Sequence, residues 1–81
     1  MSRTQKIKQL HLHMLLWNLR AHRSNLVNAP AGLLGATWRE AARKRIPEYE
    51  AELVRRGAPL PPENTTETQW EALLASALES K

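Results

Sequence analysis

Three histidines, His11, His13 and His22, fall within twelve residues and are the side chains here best suited to holding a metal ion or moving a proton. Their spacing argues against both. On a helix His11 and His13 point in very different directions. His11 and His22 share a face but lie about 16 Å apart at 1.5 Å per residue. No two histidines stand four apart, and the chain has neither cysteine nor aspartate to complete a ligand set. Glutamate is the only side-chain carboxylate, and Glu40–Lys44 and Glu52–Arg56 have the i, i+4 spacing of solvent-facing helix pairs. Ser2, Ser24, Ser76 and Ser80 form no evident constellation with a base. Gly32-Leu33-Leu34-Gly35 has too few glycines for a phosphate loop, and no Lys-Ser/Thr follows it. No catalytic residue, metal or cofactor is expected, and the chain reads as a non-enzyme.

The elements that position these residues all read as helix. A first helix is expected over 3–25, opened by Ser2 with Gln5 as its capping-box partner. Asn25, Asn28, Pro30, Gly32 and Gly35 make 26–36 a turn-rich loop, in which Leu33 and Leu34 plug the core. Thr37 and Glu40 form a second capping box before a helix over 38–56, with Trp38, Ala41, Ala42, Ile46, Tyr49 and Leu53 at helical spacing. Pro47 lies inside that stripe and predicts a kink or a break. Arg55 and Arg56 suit the negative end, and Gly57 suits a left-handed stop. Ala58-Pro59-Leu60-Pro61-Pro62 makes 57–64 a stiff extended linker. A third helix over 66–80 is capped by Asn64 or Thr66 and carries the stripe Trp70, Leu73, Leu74, Ala77 and Leu78. The fold class is therefore all-α, a small bundle of three main helices in a single domain of 81 residues.

A chain of this size buries a modest core, about 60% of its unfolded surface, and no disulfide can assist. One tryptophan falls in each helix, and Trp17, Trp38 and Trp70 are expected as core anchors. The absence of cysteine suits a cytoplasmic home, and no apolar run approaches the length of a membrane span.

The first helix carries two apolar stripes. Ile7, Leu10, Met14, Trp17 and Ala21 fall within one arc of about 80°, and Leu12, Leu15, Leu16, Leu19 and Leu26 within a second. The other two helices each offer one narrow stripe, which leaves the leucine stripe without a cover. The expected function follows: a small protein that binds and modulates another protein as inhibitor, adaptor or accessory subunit, of the kind encoded by phages and other mobile elements. Its contact residues would be Leu12, Leu15, Leu16, Leu19 and Leu26, flanked by His11, His22 and Arg23. A homodimer through the same face is the default for a second copy.

Charge gives a rival reading. The net charge of +4 is distributed as +5 over residues 1–28, +2 over 29–57 and −3 over 58–81. Lys6, Lys8, Arg20, Arg39, Arg43 and Lys44 could neutralise phosphates of DNA or RNA. Against this, Glu40, Glu48, Glu50 and Glu52 share the second helix, and Pro47 would cut a recognition helix.

Overall fold

The computed structural model describes the backbone of residues 3–79 and the side chains of residues 5–79. It is all-α, with four helices and no strand among the described residues: α1 (Arg3–Gln9), α2 (Leu12–Asn28), α3 (Leu33–Arg55) and α4 (Glu67–Glu79). The Ser2 cap lies outside these residues. Helix α2 packs on both α3 and α4, and α1 packs on α3. The Cα positions span 41 × 34 × 16 Å. A thickness of 16 Å admits two packed helices and no third layer, so each helix keeps a face in water.

The first helix divides in two, which corrects the continuous helix read over 3–25. The chain bends at Leu10, whose N–H donates to the Ile7 carbonyl at 3.2 Å. His11 then caps α2, its Nδ1 accepting the His13 N–H at 3.1 Å. No proline or glycine causes this break. Tertiary contact does: Ile7 turns back into the core, and Arg56 donates to the carbonyls of Ile7 and Lys8 at the end of α1.

Helix α2 continues to Asn28 and α3 begins at Leu33, so the connection is much shorter than 26–36. Gly32, at φ +97°, precedes α3 without a side-chain cap. Thr37 is not a cap; it lies in the second turn, where its hydroxyl donates to the Leu33 carbonyl at 3.0 Å. The tight corner is made by Gly35, which is buried against the carbonyl of Pro30. Leu33 and Leu34 therefore stand on the outside of the first turn and do not plug the core.

Helix α3 runs through Pro47 without interruption. Pro47 is exposed, on the face opposite Ala42, Tyr49 and Leu53, so the acceptor it leaves without a helical donor faces water. Gly57, at φ +71°, ends the helix with a paired exit: its N–H meets the Val54 carbonyl and that of Ala58 meets the Leu53 carbonyl, both at 3.0 Å. Thr66 and Gln69 cap α4 reciprocally, with the Thr66 N–H to Gln69 Oε1 at 2.9 Å and the Gln69 N–H to Thr66 Oγ1 at 3.2 Å.

The core joins Ile7, Leu15, Leu16, Leu19, Tyr49, Leu53, Trp70, Leu74 and Ala77, with Leu10, Leu12, Ile46 and Leu73 at its edge. Along α2 the two stripes thus exchange the roles expected of them. Leu15 and Leu19 are fully enclosed, whereas Met14 and Trp17 are 44% and 47% exposed. The bend explains the reversal. It removes Ile7 and Leu10 from the line through Met14 and Trp17, while the leucine arc is wide enough to meet α3 and α4 together. Trp38 and Leu78, expected in the core, are also exposed.

Candidate protein-binding face

The exposed arc of α2 is organised around Trp17. Four residues earlier, the His13 ring lies nearly parallel to the indole, with centroids 6.4 Å apart and an angle of 15°. Three residues later, the Arg20 guanidinium sits 5.1 Å from the indole centroid. These i−4 and i+3 neighbours hold the ring on the helix surface without burying it. Arg20 is itself fixed by an ion pair with Glu67 at the start of α4.

Beside this stack an open cleft of about 800 Å³ lies between α2, α3 and residues 63–70. Trp17, Leu26, Ile46 and Trp70 give it apolar walls. Arg20, Arg23, Glu50, Glu63 and Glu67 give it a rim of both signs. Arg23 braces the cleft from within, donating to the carbonyls of Pro61 and Pro62 at 2.8 Å each and to Glu50 at 3.0 Å. Its guanidinium also lies 5.7 Å from the Trp70 centroid.

The residues singled out from sequence are scattered by this arrangement. Leu15, Leu16 and Leu19 are core and present nothing to a partner, which corrects their assignment to a contact face. Leu12 and Leu26 are half-buried. His11 is the exposed cap of α2, and His22 stacks on Tyr49 at 5.5 Å. Arg23 is engaged within the fold by Pro61, Pro62, Glu50 and Trp70. Among the basic residues, Arg20 is committed to Glu67 and Trp17, Lys44 pairs with Glu40 at 3.4 Å, and Arg39 turns to the Pro30 carbonyl at 3.5 Å. Lys6, Lys8 and Arg43 are exposed and carry no side-chain partner among the described residues, but they are divided between α1 and α3. No group of three or more potential metal ligands occurs among the described residues.

One carboxylate has a strongly altered environment. Glu52, buried on α3, accepts from Arg55 at 2.8 and 2.6 Å and from Arg56 at 2.6 Å. The Arg55 hydrogen bonds, helped by Arg56 and opposed by burial, bring its pKa down to about 2. It is a fixed anion holding two cations, on the α1 side of α3, and it has no place in the cleft.

Comparison with family models, curated proteins and solved structures gives no match. The functional reading therefore rests on the surface itself. Reading the sequence missed Met14, Trp17 and the cleft, although a signal was present. A tryptophan with His at i−4 and Arg at i+3 has stacking partners on its own helix, and such a residue can stay at a surface.

Proposed function

We propose that this chain is a small non-enzymatic helical module that binds another protein, as inhibitor, adaptor or accessory subunit, through the outer face of α2 and the adjoining cleft. The observation that carries the reading is Trp17. A large indole left 47% exposed costs solvation unless it is covered, and here it is flanked by His13 and Arg20 at the mouth of a cleft with apolar walls and a charged rim. Tryptophan and arginine in such settings dominate the energetics of protein interfaces, because a preset ring loses little entropy on binding. A rim of mixed charge suits the polar edge of a protein contact better than a phosphate backbone. Exposed cations with no side-chain partner among the described residues, Lys6, Lys8, Arg43 and Arg45, are what supports the alternative of a DNA- or RNA-associated accessory protein.

The test uses the full-length chain and its Trp17→Ala variant as paired baits. A protein retained by the first and lost from the second, then shown with purified components to bind the variant at least 10-fold more weakly, supports the reading. Circular dichroism must be the same for both chains. Equal binding to both baits sinks it. Retention that disappears with nuclease and falls steeply with salt transfers the function to nucleic acid.

A further inference from the structure

We propose that α1 is an exchangeable arm: in a dimer of this chain it leaves its own α3 and occupies the same seat on the α3 of a second copy, with residues 3–28 forming one straight helix. The break between α1 and α2 is the observation that carries this. The chain has no glycine or proline before Pro30, so nothing in residues 3–28 opposes a continuous helix. Ile7, Leu10 and Met14 keep helical spacing across the bend, so the periodicity continues where the backbone does not.

What holds the bend is few in number and replaceable. At the start of α2, the His11 imidazole supplies an acceptor to the His13 N–H, and the first turn carries no acidic residue. At the end of α1, Arg56 satisfies the carbonyls of Ile7 and Lys8. Straightening the chain gives these backbone groups ordinary i, i+4 helical partners in place of the caps. The seat that α1 vacates, made by the buried face of α3 and by Arg56, is then filled by the identical helix of the other copy. The interface is the α1–α3 contact already described, so the exchange needs no new complementarity, and a two-fold axis makes it reciprocal. The inference does not depend on the partner-binding reading of the α2 cleft.

The experiment exploits the absence of native cysteine. Lys8→Cys and Arg55→Cys are introduced together in the full chain. Both positions are exposed, and the neighbouring Arg56 guanidinium reaches the Lys8 carbonyl at 3.1 Å. Mass in solution is measured over a wide concentration range, including chain refolded from denaturant at high concentration, and a short bis-maleimide then links the two thiols. The expected result is a doubled mass in solution and a doubled mass on a denaturing gel, because each link joins two chains. A doubled mass in solution with links confined to single chains identifies a dimer of closed copies and overturns the proposal. A single-chain mass throughout overturns it as well. His11→Pro gives an independent check, since His11 already has φ −59°, and proline here blocks the straight helix even though it also removes the imidazole cap of α2. That variant, when folded, is expected to be monomeric; a covalent dimer from it would count against the straightened arm.

Discussion

Arg56 and Glu52 stand one turn apart on α3, and the arginine divides its donors between that carboxylate, at 2.6 Å, and the end of α1. Glu52 aims the guanidinium, and the guanidinium caps another helix. Arg56→Ala should therefore act at a distance along the sequence. The expected cost is about 2 kcal/mol, from two charge-assisted bonds to backbone carbonyls and one to a carboxylate. Hydrogen exchange checks where it falls: amides of α1 and of the first turn of α2 should lose protection, while those of α4 keep theirs. Arg56→Lys should not rescue α1, because an ammonium lacks the fork that serves both sides.

The same carboxylate makes stability depend on acid pH. The Arg55 and Arg56 contacts hold Glu52 at about 2 in the folded chain, below the ordinary value of 4.5. The unfolded chain therefore binds the proton first. The stabilisation is complete above pH 4.5 and is lost as pH falls towards 2. Arg55 lies largely in water, so screening limits the contribution at neutral pH to about 1–2 kcal/mol. Glu52→Gln should lower urea stability by that amount at pH 7. It should also flatten the decline between pH 5 and 2, and an unchanged acid slope would show that Glu52 titrates alike in both states.

Gly35 and Pro30 set the corner between α2 and α3. A Cβ at position 35 would collide with the Pro30 carbonyl, which belongs to the backbone and cannot rotate aside. Replacing glycine by alanine inside a helix ordinarily gains about 1 kcal/mol. Here the sign should reverse, with Gly35→Ala losing about 1–3 kcal/mol through the displaced corner. Gly32→Ala should lose less, because nothing lies near its missing Cβ, although its φ of +97° still resists a side chain. Chemical denaturation of the two variants side by side checks the order.

Much of this fold was legible and one part was systematically not. The Gly57 stop, the Thr66–Gln69 box and the stripe of α4 follow from local rules, because each is a bond between neighbours in sequence. The bend at Leu10, the early start of α3 and the passage of Pro47 are decided by the three-dimensional surroundings of each residue and not by its type. Ile7 finds the core, Gly35 finds Pro30, and Pro47 finds water. The choice between the two stripes of α2 was of the second kind. A wheel shows two apolar arcs but not which one will meet Tyr49, Leu53 and Trp70.

That choice has a direct consequence. Leu16→Glu with Leu19→Glu places two carboxylates in the centre of the core and should unfold the chain outright, at more than 4 kcal/mol. Trp17→Ala, in the same helix, should cost far less, about 1–2 kcal/mol, since it forfeits surface stacking and the covered half of one ring. Far-ultraviolet circular dichroism separates them. A folded double variant would restore the leucine arc as a surface, and an unfolded Trp17→Ala chain would remove Trp17 from consideration as a contact residue.

Arg23 decides whether α4 has a fixed place at all. The linker between α3 and α4 contains Pro59, Pro61 and Pro62, whose missing N–H groups leave it few bonds of its own. The carbonyls of Pro61 and Pro62 are both held by the Arg23 guanidinium, which also meets Glu50 on α3 and faces the Trp70 ring on α4. One half-buried side chain from α2 thus orients the linker, α3 and α4 together. Arg23→Ala should cost about 2–3 kcal/mol, leaving a part-buried carboxylate and two carbonyls without their donor. Arg23→Lys should recover less than half, because one ammonium cannot serve three acceptors in a plane and loses the stack on Trp70. Trp70 provides the readout in a chain whose Trp17 and Trp38 are replaced by Phe: its fluorescence should shift to longer wavelength in Arg23→Ala before global unfolding begins. If the emission stays unchanged up to the main transition, the linker is held by the burial of Pro61 and Trp70 and not by this arginine.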